Sequence, residues 1–110
     1  MAIYKIIFKF VAMADVLSEQ VLKDLQSRGF KILEKIGERL YVVEKKGKHL
    51  VYIMIEGVEV GASTLLNLIN MAEMLSMQMV LALVSSDGTV TYYFVRRIRL
   101  PHNIHHVENI

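Results

Sequence analysis

The sequence predicts a single mixed α+β domain, a central mixed sheet flanked by two helices, in the order β-α-β-β-β-α-β-β. Three observations carry this. The chain has 110 residues, 54% of them hydrophobic and 22% charged, which suits one core and is too short for two. Short β-branched and aromatic runs recur along it, bounded by glycine and charged clusters. Two longer stretches space their apolar residues at helical rather than alternating intervals.

Ile3–Phe10 is rich in Ile, Phe and Tyr and reads as a strand. Asp15–Arg28 reads as a helix with Leu17, Val21, Leu22 and Leu25 as its apolar stripe. Asp15 or Ser18 is the expected cap, and Gly29 the left-handed residue after the last turn. Lys31–Ile36 and Arg39–Glu44 are expected as a hairpin turning at Gly37-Glu38. The Glu44–Lys48 run is the next turn. His49–Ile55 is almost continuously apolar, the pattern of a strand covered on both faces.

Gly61–Ser63 opens a second helix, with Ser63 the expected cap. Its apolar residues run from Leu65 to Met77 on nearly every side, so it is either buried all round or held between the sheet and a partner. Met79–Val84 is a second buried strand. Ser85-Ser86-Asp87-Gly88 follows, with an Asp-Gly pair that favours the tight primed turns. Val90–Ile98 is the returning strand, Pro101 ends it, and residues 101–110 form a tail. Residues 1–100 are thus the expected domain.

Composition narrows the function. Cysteine is absent, so there is no disulfide framework and no thiolate metal site, and a cytoplasmic setting is expected. The longest apolar runs, Leu50–Ile55 and Met79–Val84, are six residues each, far short of a membrane span. Lys5 and Lys9 interrupt the N-terminal apolar residues, unlike a signal peptide. The net charge of +2 is too mild to diagnose nucleic-acid binding. A mean hydropathy of +0.38 is high for so small a chain, which suggests apolar surface that a partner covers.

Several groups could carry chemistry. His49, at the entrance of a buried strand, suits a general acid or base, or is a plain surface histidine. His102, His105 and His106 offer imidazole nitrogens but no carboxylate or thiolate to complete a metal site. Lys45, Lys46 and Lys48, with Arg96, Arg97 and Arg99, form two basic clusters able to touch phosphates, or solvated turns. Tyr92, Tyr93 and Phe94 can stack on bases or line an interface. Glu56 and Glu59 read as solvated loop residues. No glycine-rich phosphate loop is present.

The run Met79–Ile98, with its buried strand, Ser-Ser-Asp-Gly turn and Val-Thr-Tyr-Tyr-Phe-Val-Arg-Arg-Ile strand, resembles the C-terminal end of archaeal tRNA-intron splicing endonucleases. Leu25-Gln26-Ser27-Arg28-Gly29-Phe30 is similar to that family's Leu-x-x-Arg-Gly-Tyr/Phe helix end, and Arg39–Val43 falls where the family has a strand entering its catalytic loop. The resemblance spans roughly residues 16–100. It implies a metal-free cleavage by the 2′-hydroxyl, leaving a cyclic phosphate and a 5′-hydroxyl, with Tyr, His and Lys as the catalytic set.

The chain departs from that set. Lys46 stands where the family has its His, and Ser76–Met79 offers no cation where the family has its Lys. Tyr41 or Tyr52 could stand in for the Tyr, with His49 nearby. The matching parts are scaffold, and an N-terminal domain that many members carry is not seen. The resemblance therefore implies a small structural subunit of the crenarchaeal heteromeric type, with no cofactor, metal or membrane. Its partners would be a catalytic subunit, in a hetero-tetramer, and precursor tRNA with a bulge-helix-bulge. In the family an acidic turn enters a basic pocket of another subunit, and Ser85, Ser86, Asp87 and Gly88 match that turn with one acid where two are often present. The last strands also associate, which casts Tyr92, Tyr93, Phe94 and Val95 as interface, and Lys45, Lys46, Lys48, Arg96 and Arg97 as RNA contacts. Two alternatives are a minimal active nuclease using His49 with Tyr41 or Tyr52 and a lysine, and a homo-oligomeric module without RNA function.

Overall fold

The computed structural model describes residues 16–95. The expected strand Ile3–Phe10, Asp15, Arg96, Arg97, Arg99 and the tail with its three histidines lie outside the described residues. Within them the order is α1 (residues 16–27), β1 (Lys31–Gly37), β2 (Leu40–Glu44), β3 (Lys48–Ile55), α2 (Ala62–Met74), β4 (Gln78–Val84) and β5 (Val90–Val95). The five strands form one sheet in sequence order. Neighbours are antiparallel except β3 and β4, which run parallel because α2 carries the chain back between them. This is the expected mixed sheet with two helices.

The helices lie on opposite faces, and strand alternation sorts the side chains between them. Val21 and Leu25 of α1 pack on Tyr41, Val43, Val51, Ile53, Val80 and Ala82. Leu68 and Ala72 of α2 pack on Leu40, Val42, Leu50 and Met79. Leu50 is buried on the α2 side of β3, and Val51 and Ile53 on the α1 side, which explains its nearly continuous apolar run.

Both helices end alike. After α1, Gly29 takes φ +93°, its N–H donates to the Gln26 carbonyl, and the Phe30 N–H donates to Leu25 at 3.0 Å. This is a Schellman ending. After α2, Ser76 stands in the glycine position at φ +54°, with Ser76 N–H on Glu73 and Met77 N–H on Ala72 at 2.8 Å. The second helix therefore stops at Met74 rather than reaching Met77. It starts after Gly61, with no side-chain cap, and Ser63 lies inside it, not at the cap. Ser18 likewise sits within α1, buried, so it does not cap that helix. Nor is α2 buried all round: Leu66, Met71 and Met74 are exposed.

Two turns differ from expectation. The β1–β2 turn is Glu38-Arg39, and the left-handed residue is Arg39 (φ +54°), because Gly37 still pairs with Leu40 in the ladder. The β4–β5 turn is not primed. Gly88 N–H donates to the Ser85 carbonyl and Ser85 N–H to Thr89, both at 2.9 Å, so the left-handed glycine (φ +87°) follows the turn instead of forming its centre. That is a longer loop closed by a glycine bulge.

Candidate functional site

Among the described strands the two edges of the sheet are β1 and β5. β1 carries Lys31, Glu34 and Lys35, and its register with β2 breaks twice, between Ile32 and Glu34 and between Lys35 and Gly37. Charges and bulges of this kind discourage further pairing. β5 (Val-Thr-Tyr-Tyr-Phe-Val) has no charge and pairs with β4 in unbroken register from Val90 to Val95. No described strand pairs with its outer side. Phe94 is 71% exposed and Tyr93 50% exposed, on opposite faces of the strand. Such an edge is an open template for another strand.

Of the four residues expected at an interface in β5, two turn inward. Val95 packs against the α2-side core. Tyr92 faces α1, where its hydroxyl donates to Asp24 Oδ2 at 2.5 Å. Arg28 Nε donates to the same oxygen at 2.8 Å, and its guanidinium lies 5.1 Å from the Tyr92 ring centre. The Tyr92 hydrogen bond, with Arg28 in support, holds the Asp24 carboxyl below its usual range. Burial, then the adjacent carboxylate, pushes the Tyr92 phenol upward. This lock ties the end of α1 to the edge strand. The i,i+4 spacing of Asp24 and Arg28 is visible in the sequence; their Tyr92 partner, 68 positions away, is not.

Beside the lock, α1 stops before it covers the ends of β3 and β5. A cavity of about 170 Å³ opens there, lined by Leu25, Phe30, Val51, Val80, Tyr92 and Phe94, with Arg28 and His49 at its polar parts. Phe30 and His49 meet edge to face at 5.4 Å between ring centres. Lys45 Nζ donates to the Arg28 carbonyl at 2.5 Å and lies 5.5 Å from the Phe30 ring centre.

The residues weighed as a catalytic set are dispersed. Tyr41 is 8% exposed and part of the α1-side core. Tyr52 lies on the other face, under Arg39 at 5.9 Å. His49 shares the Tyr41 face, but its Nδ1–H is engaged by the Gly47 carbonyl at 3.0 Å. Lys46 is exposed in the β2–β3 turn at φ +53°. Among the described residues no three His, Cys, Asp or Glu side chains gather as a metal site. Lys45 and Lys46 lie in the exposed β2–β3 turn, and Lys48, also exposed, opens β3 opposite Glu44.

The Ser85–Gly88 loop is held in place from three sides. Asp87 Oδ1 accepts the Thr89 N–H at 2.9 Å, which lowers the Asp87 carboxyl from its usual value. Gln20 of α1 donates to the Gly88 carbonyl at 2.9 Å. Glu56 accepts the Ser86 N–H at 2.6 Å. The sequence reading leaves Glu56 as solvated loop. The parallel register sets Ile55 beside Val84, so the next residue of each strand meets at the loop. The loop thus carries the Asp87 carboxylate and is held by that of Glu56, just after the end of β3.

Compared with models of known protein families and with curated proteins, the sequence matches neither.

Proposed function

We propose that this chain is a non-catalytic, structural subunit of a heteromeric tRNA-splicing endonuclease, pairing through β5 with a catalytic subunit and positioning it on precursor tRNA. The observation that carries the reading is the β5 edge, uncharged, regular and crowned by Phe94. Asp87 in the Ser85–Gly88 loop, with Glu56 held against Ser86 of that loop, supports it, since acidic groups suit a basic pocket on a neighbour.

The chemistry belongs to the partner. Attack of a 2′-hydroxyl on the adjacent phosphate needs a base at that hydroxyl, an acid at the departing 5′-oxygen and a cation near the developing charge. It forms a 2′,3′-cyclic phosphate and frees a 5′-hydroxyl. Among the described residues Tyr41, Tyr52, His49 and Lys46 do not converge on one point, and in this reading the catalytic subunit supplies all three. Lys45, Lys46 and Lys48 contribute backbone contacts.

The test is cleavage of a precursor tRNA bearing a bulge-helix-bulge. The isolated chain leaves it intact, and the reconstituted pair cleaves it. Asp87→Ala lowers the fraction of assembled complex in gel filtration and leaves the rate per assembled complex unchanged. Cleavage by the isolated chain, lost in His49→Ala by roughly a hundredfold or more, would instead make it a minimal nuclease. A stable homo-oligomer without salt-dependent RNA binding would make it an interaction module.

A further inference from the structure

We infer that the cavity between the end of α1 and the β3 and β5 strand ends is a nucleotide site, with the base in the cavity and the phosphate on Arg28 and Lys45. This goes beyond the subunit reading and does not depend on it; it concerns the free chain, because Phe94 is an interface residue in that reading.

Size and lining point to a planar ring. A cavity of about 150 Å³ with apolar walls accepts one benzene ring, and this one measures about 170 Å³. Phe30, Tyr92 and Phe94 present aromatic surface on several sides, and His49 adds a ring with a polar edge. Bases stack on such side chains irrespective of sequence.

Charge at the mouth points to an anion. Arg28 and Lys45 each sit over an aromatic ring of the lining, Tyr92 and Phe30 respectively. Only Nε of Arg28 is taken by Asp24, so its Nη groups have no hydrogen-bond partner among the described residues. Lys45 spends one donor on the Arg28 carbonyl and keeps two. Lys46 adds an exposed cation in the same turn. Among the described residues the one carboxylate in contact with Arg28, Asp24, is already shared between Tyr92 and Arg28. An uncharged aromatic side chain from a protein would fill the cavity and leave these cations unanswered. A ring bearing a phosphate answers both.

The ligand is either a free mononucleotide or one residue of a single-stranded chain. Three probes separate these with the full chain. They are a labelled ten-residue single-stranded RNA followed by anisotropy, an abasic oligomer of equal length, and UMP and AMP followed by ring-proton shifts of Phe30 and Tyr92. The RNA binds roughly tenfold more tightly than the abasic oligomer, the scale of one stacked base. Phe94→Ala, an exposed position whose loss spares the fold, removes that advantage and leaves abasic binding unchanged. Lys45→Met, which keeps the stem over Phe30, weakens both oligomers and lowers the salt slope by about 0.7, one phosphate contact on a single strand. Ring shifts with UMP or AMP identify a free nucleotide, and shifts with RNA alone identify a residue of a chain. Equal affinity for RNA and abasic oligomer with no mononucleotide shifts, or no binding of any probe, overturns the site. The subunit reading is unaffected by that outcome, because it is read from complex mass and cleavage.

Discussion

β1 and β5 border the same sheet and have similar lengths, yet they are finished differently. β1 is broken by two register shifts and carries Lys31, Glu34 and Lys35. β5 is regular, uncharged and tipped by Phe94 and Tyr93. An edge left regular and apolar is a hazard unless something pairs with it, whereas a bulged and charged one is safe alone. Among the described residues one edge is protected and the other is able to pair. The same contrast separates the helices. α1 is fastened by Val21, Leu25 and the Asp24–Tyr92 bond, while α2 buries Leu68 and Ala72 and leaves Met74 85% exposed.

The contrast can be broken at four places, in falling order of effect. Ile53→Ala, at the fully buried centre of β3, costs about 3 kcal/mol in chemical denaturation of the isolated chain. That sets the scale for a residue that belongs to the fold and not to an edge. Phe94→Lys leaves the isolated chain within about 0.5 kcal/mol of wild type and weakens the complex at least about tenfold, as expected at an interface anchor. Ile36→Lys on β1 changes neither quantity. If both edges respond equally in the complex, the distinction between them fails.

The third place is the lock. Tyr92→Phe removes the bond to Asp24 and costs about 1 kcal/mol at neutral pH. The pH dependence has a definite sign. The Tyr92 phenol is raised in the folded chain, so its contribution is complete below the ordinary tyrosine value of about 10 and falls away as pH rises beyond it. The Asp24 carboxyl is lowered, so its contribution is present above the ordinary aspartate value of about 4 and is lost as pH falls through its folded value. Stability measured against pH should lose its slope above about 10 in Tyr92→Phe and flatten in acid. An unchanged profile would remove the lock from the account. The smallest effect is at the end of α2. Ser76→Gly relieves a left-handed serine and gains about 0.5–1 kcal/mol. The same motif after α1 already has its glycine.

Much of this architecture is legible in the sequence where one local signal dominates. Leu17, Val21, Leu22 and Leu25 mark the face of α1, and Gly29 marks its end. The apolar runs at His49–Ile55 and Met79–Val84 mark strands covered on both sides. Where apolar residues ring a segment, the signal fades. α2 sets Ser63, Asn67 and Asn70 opposite its buried pair Leu68 and Ala72, but Leu66, Met71 and Met74 interrupt that polar side and blur the signal. Its end is equally hidden, because Ser76 adopts a conformation that serine seldom signals. The turn at Arg39 is missed because Gly37 attracts the reading, although tertiary pairing keeps that glycine in the ladder. The Glu56–Ser86 and Asp24–Tyr92 contacts depend on strand register and helix placement, which no local window contains. The cavity is a property of where α1 stops relative to the sheet.

The most direct test of the account is co-purification of the tagged full chain from its native source, with mass spectrometry of whatever associates in stoichiometric amount and a cleavage assay on the isolated complex. The expected result is a partner carrying the Tyr, His and Lys that the described residues of this chain do not bring together, in a complex that cleaves precursor tRNA and dissociates when Phe94 is replaced by lysine. A chain recovered alone, or one that cleaves the RNA without a partner, would contradict it.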